Sequence, residues 1–207
     1  MQSRARFITL EGGEGVGKTS NLEFIGSWFR SRNIPFLRTR EPGGTPAGET
    51  MRALLLDSGH LVAKAELLLV FAARAQHLEE VIRPALAAGT WVVSDRFTDA
   101  SFAYQGGGRG LGPDAIGFLE GFVQAGLQPD LTLLLDAPVE IGMVRAQGRG
   151  ASDRIESETQ GFFERVRQVY LQRAERFPQR IKCIDASRSL EMVQVDIARH
   201  LESLLSR

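Results

Sequence analysis

The chain has 207 residues, enough for one globular domain with an insert and short for two full domains. Lysine plus arginine and aspartate plus glutamate both number 25, and this zero net charge argues against a protein built mainly to grip nucleic acid or an anionic membrane. A hydrophobic content of 43% excludes wholesale disorder, and the single cysteine, Cys183, excludes an internal disulfide framework.

The first apolar run, Phe7–Leu10, is a candidate strand. Glu11 cuts it off too soon for a secretory signal, and no later run approaches the roughly 18 to 20 apolar residues of a membrane helix, so a cytoplasmic protein is expected. Leu22, Ile25 and Phe29 then recur at helical spacing. Pro35–Thr39 is weakly apolar and reads as a strand mainly from its place between two helical segments. Ala65–Leu78 reads as a helix, Trp91–Ser94 as a strand, and a further helix is expected from Asp114 behind Pro113. Leu131–Leu135 and Ile181–Ile184 are the last two candidate strands, the second making Cys183 a buried strand residue. Phe162, Val166, Val169 and Tyr170 share one helical face, as do Leu190, Val193, Ile197, Leu201 and Leu204. Strands separated by helices predict an α/β fold with a five-stranded parallel sheet covered on both faces. No repeat or linker interrupts the order, so residues 1–207 are expected to form a single domain.

Gly12-Gly13-Glu14-Gly15-Val16-Gly17-Lys18-Thr19 matches the phosphate-binding pattern G-x-x-x-x-G-K-[ST], between a predicted strand and a predicted helix. Glycines let backbone N–H groups converge on phosphate oxygens, and the helix N-terminus adds a favourable dipole. Lys18 is expected on the β- and γ-phosphates and Thr19 on magnesium. These features predict a P-loop NTPase fold with a bound nucleoside triphosphate; a plain glycine-rich turn is the alternative. Asp95, closing Trp91-Val92-Val93-Ser94, is the preferred second magnesium residue because Arg96 follows it, with Asp136 as its competitor and a surface Asp–Arg pair as the bland reading.

Of the 25 basic residues 22 are arginines, a side chain whose planar fork suits phosphate, although codon bias explains such a count as well. Phe71 and Arg74 sit three apart on one predicted helix and could stack a base and hold a phosphate, or Phe71 could be plain core. Arg145, Arg149 and Arg154 cluster with Gly148, Gly150 and Asp153 in a segment that is either a closing loop or a solvated charged one. His60, His77 and His200 are scattered and carry no expected role, and Phe162, Phe163 and Tyr170 read as helix core.

Over essentially its whole length the sequence resembles the thymidylate kinases. The resemblance rests on Leu10–Thr19, Thr39-Arg40-Glu41-Pro42-Gly43-Gly44-Thr45, Phe71-Ala72-Ala73-Arg74, Asp95-Arg96-Phe97, Ala103-Tyr104-Gln105-Gly106-Gly107-Gly108 and Asp153-Arg154-Ile155-Glu156. It implies phosphoryl transfer from ATP to dTMP, giving ADP and dTDP in dTTP synthesis, with Mg²⁺ and a homodimer formed through helices such as Ala65–Leu78. It further implies that Phe71 stacks on thymine and Arg74 holds the base edge. Ser101 and Gln105 would border the base, Tyr104 the sugar, and Glu14 the 3′-hydroxyl region. Arg40 and Arg96 would approach the dTMP phosphate, and the bond before Pro42 is often cis in the family. The P-loop positions Gly13–Val16 hold no base, as in the bacterial subtype whose lid supplies the catalytic arginines. Arg149 and Arg154, in a lid at about 145–158, take that part by resemblance, Arg145 with less support.

Three other readings compete. A guanine-specific switch would carry Asn-Lys-x-Asp, but Asn21 and Asn33 precede Leu and Ile. A DNA partition module would need a basic stretch that the sequence lacks. Another nucleoside or nucleoside-monophosphate kinase would use the same scaffold.

Overall fold

A computed structural model describes residues 5–146 and 154–206. In chain order the elements are β1 (Phe7–Gly12), α1 (Lys18–Ser31), β2 (Phe36–Arg40), α2 (Pro46–Asp57), α3 (Ala63–His77), α4 (Arg83–Ala87), β3 (Trp91–Asp95), α5 (Thr98–Ser101), α6 (Pro113–Gln124), β4 (Leu131–Asp136), α7 (Val139–Ala146), α8 (Gln160–Arg176), β5 (Ile181–Asp185) and α9 (Leu190–Leu205). Leu78–Ile82 and Phe102–Gly108 are π-helical and continue α3 and α5.

The five strands form one parallel sheet in the order β2-β3-β1-β4-β5. β1 lies at its centre and is buried along its whole length. Side chains alternate across a strand, so Ile8 and Leu10 enter a core with Leu22, Ile25 and Phe29 of α1 and Val193, Ile197 and Leu201 of α9. Phe7, Thr9 and Glu11 face the other side, where Phe7 packs on Leu78, Ile82 and Phe97. Beside them Tyr104, Phe162, Val166 and Tyr170 form a second core under β4. Thr9 and Thr132, paired across β1 and β4, share a hydrogen bond of 2.8 Å that satisfies both buried hydroxyls.

All five expected strands are present, each running one or two residues further at its carboxyl end than the apolar run. β2 reads weakly because it is an edge strand, only partly covered. Two expectations fail. Cys183 is exposed, because β5 is the opposite edge strand and is covered only in part. Leu190 is also exposed, at 43%, since it opens α9 directly after the Ser189 cap and precedes the turn at which the helix meets the sheet.

Candidate active site

In an open parallel sheet, loops at the carboxyl ends of the strands surround the ligand crevice. The loops after β1, β2 and β3 border such a cleft, of about 280 Å³. Glu14, Gly15, Val16, Gly17, Lys18 and Thr19 line one wall, Asp95 and Arg96 the floor, and Glu41, Pro42 and Arg52 the side toward α2. Tyr104, Gln105, Ile155 and Glu156 also line it, with Leu55, Leu56 and Val70 as its apolar part.

The phosphate loop is seated on α7. A Cβ at Gly15 would stand 1.9 Å from the Gly142 carbonyl oxygen, and one at Gly142 would stand 2.3 Å from that of Glu14. Only glycines allow the two backbones to approach so closely. The N-terminus of α1 has no side-chain cap and no acidic residue in its first turn, whereas Thr45, Thr159 and Ser189 cap α2, α8 and α9. Its N–H groups are therefore available to an anion. Lys18 Nζ donates to the carbonyls of Gly13 at 2.8 Å and Gly12 at 3.3 Å, folded over its own loop. Burial, then the charge of Arg96, lowers its pKa.

Arg96 takes a left-handed backbone conformation, φ 68°. Its Nη1 donates to the Gly12 carbonyl at 2.9 Å, its Nη2 to Glu14 Oε1 at 2.6 Å, and its guanidinium lies 4.6 Å from the centre of the Tyr104 ring. The Tyr104 hydroxyl donates to the same Glu14 oxygen at 2.8 Å. Burial raises the phenol pKa of Tyr104, so it stays a donor at neutral pH. Glu14, Arg96 and Tyr104, chosen from three separate segments, thus meet at one point. Asp95 Oδ1 is buried with no hydrogen-bond partner among the described residues, and Asp95 lines the same cleft as Lys18 and Thr19. The competitor Asp136 has both oxygens engaged, each 2.8 Å from Arg167.

The expected base-binding residues form a buried network behind this point. Arg74, 1% exposed, donates to Glu41 Oε2 at 2.7 Å, Thr98 Oγ1 at 3.3 Å and Ser101 Oγ at 3.0 Å. The guanidinium lies 4.6 Å from the Phe71 ring, which packs with Leu67 and Ile116. Gln105 donates to Glu66 Oε1 at 2.9 Å. Arg40 stands apart, exposed and paired with Glu49 at 2.7 Å. The two described arginines of the expected lid, Arg145 and Arg154, are not gathered together. Arg154 donates to Glu66 Oε2 at 2.7 Å and to the Leu55 carbonyl at 2.9 Å, whereas Arg145 reaches the carbonyls of Ala186 and Ser187. Arg149 lies outside the described residues.

Four polar residues here escaped the sequence reading. Glu41 joins Arg74 to His77, whose other ring nitrogen meets Thr39 Oγ1 at 2.6 Å. Glu66 gathers Gln105, Arg109 and Arg154. Glu11 and Tyr170 share a hydrogen bond of 2.7 Å beneath Arg96. The one available signal was an acidic residue in an otherwise apolar buried segment, as with Glu11 after Phe7–Leu10 and Glu66 before Leu67–Phe71.

Residues 10–197 match the family model of thymidylate kinases. The chain belongs to the thymidylate kinase family. It is 60% identical over 205 residues to the thymidylate kinase of Chromohalobacter salexigens and 56% identical over 201 residues to that of Methylococcus capsulatus, each alignment covering 97% of both chains. The fold is similar to the crystal structure of thymidylate kinase from Ehrlichia chaffeensis, with a TM-score of 0.77 and 29% identity over 96% of this chain and 98% of that one. Of the segments that carry the resemblance, the phosphate loop, Asp95-Arg96 and Tyr104-Gln105 border the cleft in this thymidylate kinase fold.

Proposed function

We propose that the protein transfers the γ-phosphoryl group of ATP to the phosphate of dTMP, giving ADP and dTDP for dTTP synthesis. The observation that carries this reading is the meeting of Glu14, Arg96 and Tyr104 directly beside the phosphate loop. A triphosphate cradled by Gly12–Thr19 would present its end to that point. A monophosphate oxygen is already a competent nucleophile, so no general base is needed. Lys18, released from its own loop, neutralises the β- and γ-oxygens, and Arg96 spans the donor and acceptor phosphates. Glu14 orients the acceptor sugar while fixing Arg96. Tyr104 borders the sugar, Gln105 and Ser101 border the base, Arg74 holds its edge and Phe71 offers a stacking face. Arg40 serves the acceptor phosphate from the rim once it leaves Glu49.

The residues fit a magnesium ion, since Asp95 Oδ1 is buried without a partner among the described residues and Asp95 lines the cleft together with Thr19. Thr19 and Asp95, directly or through water, would hold Mg²⁺, which neutralises phosphate charge when bound. We assign residues 1–207 to one nucleoside-monophosphate kinase domain with a lid at about 145–158, whose Arg149 and Arg154 add donors to the transferring group and keep water from it. No described helix is long and apolar enough to cross a membrane, and a cytoplasmic enzyme without nucleic-acid or membrane partners suits the zero net charge. Leu68 on α3 and Phe118 and Phe122 on α6 are 57%, 73% and 78% exposed, an apolar surface suited to a homodimer. Sedimentation analysis distinguishes dimer from monomer.

The deciding experiment is an ADP-release assay with ATP, Mg²⁺ and dTMP, dUMP, dCMP, dGMP or thymidine in turn, with dTDP identified by chromatography. Turnover dependent on dTMP supports the assignment. Preference for another acceptor moves the base-pocket roles, and ADP release without an acceptor overturns the transfer reaction.

A further inference from the structure

Arg96 is the residue on which the proposed transfer turns, yet its conformation is not one an arginine holds by itself. Its φ of 68° lies in the left-handed region, and its guanidinium spans the loop after β1. Part of the restraint is local: its N–H donates to the Leu10 carbonyl at 3.0 Å and its carbonyl accepts the Ser94 hydroxyl at 2.7 Å. The rest comes from a carboxylate that is fully buried under the site. Glu11, at 0% exposure, points from β1 toward α5 and α8. Its Oε1 accepts the N–H of Phe97, the residue directly after Arg96, at 2.7 Å. Its Oε2 accepts the Tyr170 hydroxyl at 2.7 Å, and that hydroxyl in turn accepts Arg96 Nη1 at 3.3 Å.

We infer that Glu11 and Tyr170 are positioning residues for phosphoryl transfer: one carboxylate holds Arg96 at both ends, by the following peptide N–H and, through the Tyr170 hydroxyl, by the guanidinium. The guanidinium then stands ready at the cleft before substrates arrive, and no reorganisation is needed during the reaction. Packing alone does not account for an acid in this place. Burial, and then the charge of Asp99, pushes the Glu11 pKa up to about 7, against the opposing pull of Tyr170 and Arg96. The phenol of Tyr170 is itself raised by burial and remains a donor at neutral pH. The inference rests on the assignment of Arg96 to the transferring phosphate.

A double-mutant cycle separates positioning from mere packing. Tyr170→Phe keeps the ring and removes the relay. It should lower kcat for dTDP formation on the order of tenfold while both KM values stay within about threefold. Arg96→Met should lose on the order of a thousandfold in kcat, and adding Tyr170→Phe to it should cost nothing more. Glu11→Gln, which keeps an acceptor for Phe97, should behave as Tyr170→Phe does. Unchanged kcat in Tyr170→Phe beside a crippled Arg96→Met overturns the positioning role alone. So does an equal loss from Tyr170→Phe in both backgrounds, the mark of a general structural effect. Normal turnover in Arg96→Met overturns the role of Arg96 and this inference with it.

Discussion

Glu66 Oε2 accepts a hydrogen bond from Arg154 Nη2 at 2.7 Å, joining the first turn of α3 to a residue 88 positions further along the chain. The carboxylate is wholly buried and also receives Arg109 and Gln105. One side chain therefore ties α3 to the segment that carries Ile155 and Glu156 to the cleft.

Removing the acid leaves two arginines facing each other's charge in a space that is mostly closed. Glu66→Leu should destabilise the protein by about 3 kcal/mol, because Arg154 loses this carboxylate and Arg109 keeps only Glu158 of its two. Arg154→Met should cost closer to about 1 kcal/mol, since Arg109 still neutralises Glu66. Urea unfolding of the two variants checks the order, and a milder effect in Glu66→Leu than in Arg154→Met would contradict it.

Among the described residues, the side-chain hydrogen bonds of Lys18 go to its own loop, to the carbonyls of Gly12 and Gly13. Lys18→Ala should leave the unfolding midpoint near that of the parent yet reduce kcat by roughly a thousandfold or more. Near-normal turnover in the purified variant would remove Lys18 from the phosphate site.

Glu11 makes stability depend on pH in a defined sense. Its folded pKa is about 7 against an ordinary 4.5, so between these values the folded chain holds a proton that the unfolded chain has released. The stabilisation is complete below pH 4.5 and is lost as pH rises to about 7, an effect on the order of 3 kcal/mol. Urea midpoints at pH 5 and pH 8 should therefore differ, with that part of the difference gone in Glu11→Gln. An identical slope in the variant would assign the dependence to other groups.

Asp95 and Asp136 end β3 and β4, the strands on either side of β1, but differ in their engagements. Asp95→Asn should raise the Mg²⁺ needed for half-maximal activity roughly tenfold, whereas Asp136→Asn should leave it unchanged. In Asp136→Asn the loss is instead one of the Arg167 pair, visible as a small drop in thermal midpoint. A Mg²⁺ shift in Asp136→Asn and none in Asp95→Asn would exchange their roles.

The sheet was legible because alternating apolar strands and amphipathic helices follow from burial on both faces, and the phosphate loop because its chemistry lies within eight consecutive residues. Glu14, Arg96 and Tyr104 were each marked by a family motif, though their convergence was not. Glu11, Glu66 and Tyr170 were harder to find because their significance lies in partners 159, 88 and 74 positions away. A burial pattern detects that such a side chain is inside, but not what it holds. Cys183 and Leu190 failed for a simpler reason: periodicity marks a face without telling how far the neighbouring layer extends over it.

The contact between Gly142 and the Glu14–Gly15 backbone has a mechanical meaning. Side chains elsewhere in the protein can rotate and absorb a shift of half an ångström, but here main chain rests on main chain with nothing deformable between. A helix in that position acts as an anvil under the phosphate loop. Any tilt of α7 would pass undiminished to the backbone amides proposed to receive the triphosphate, and a single added methyl group at 142 would lift the loop from beneath.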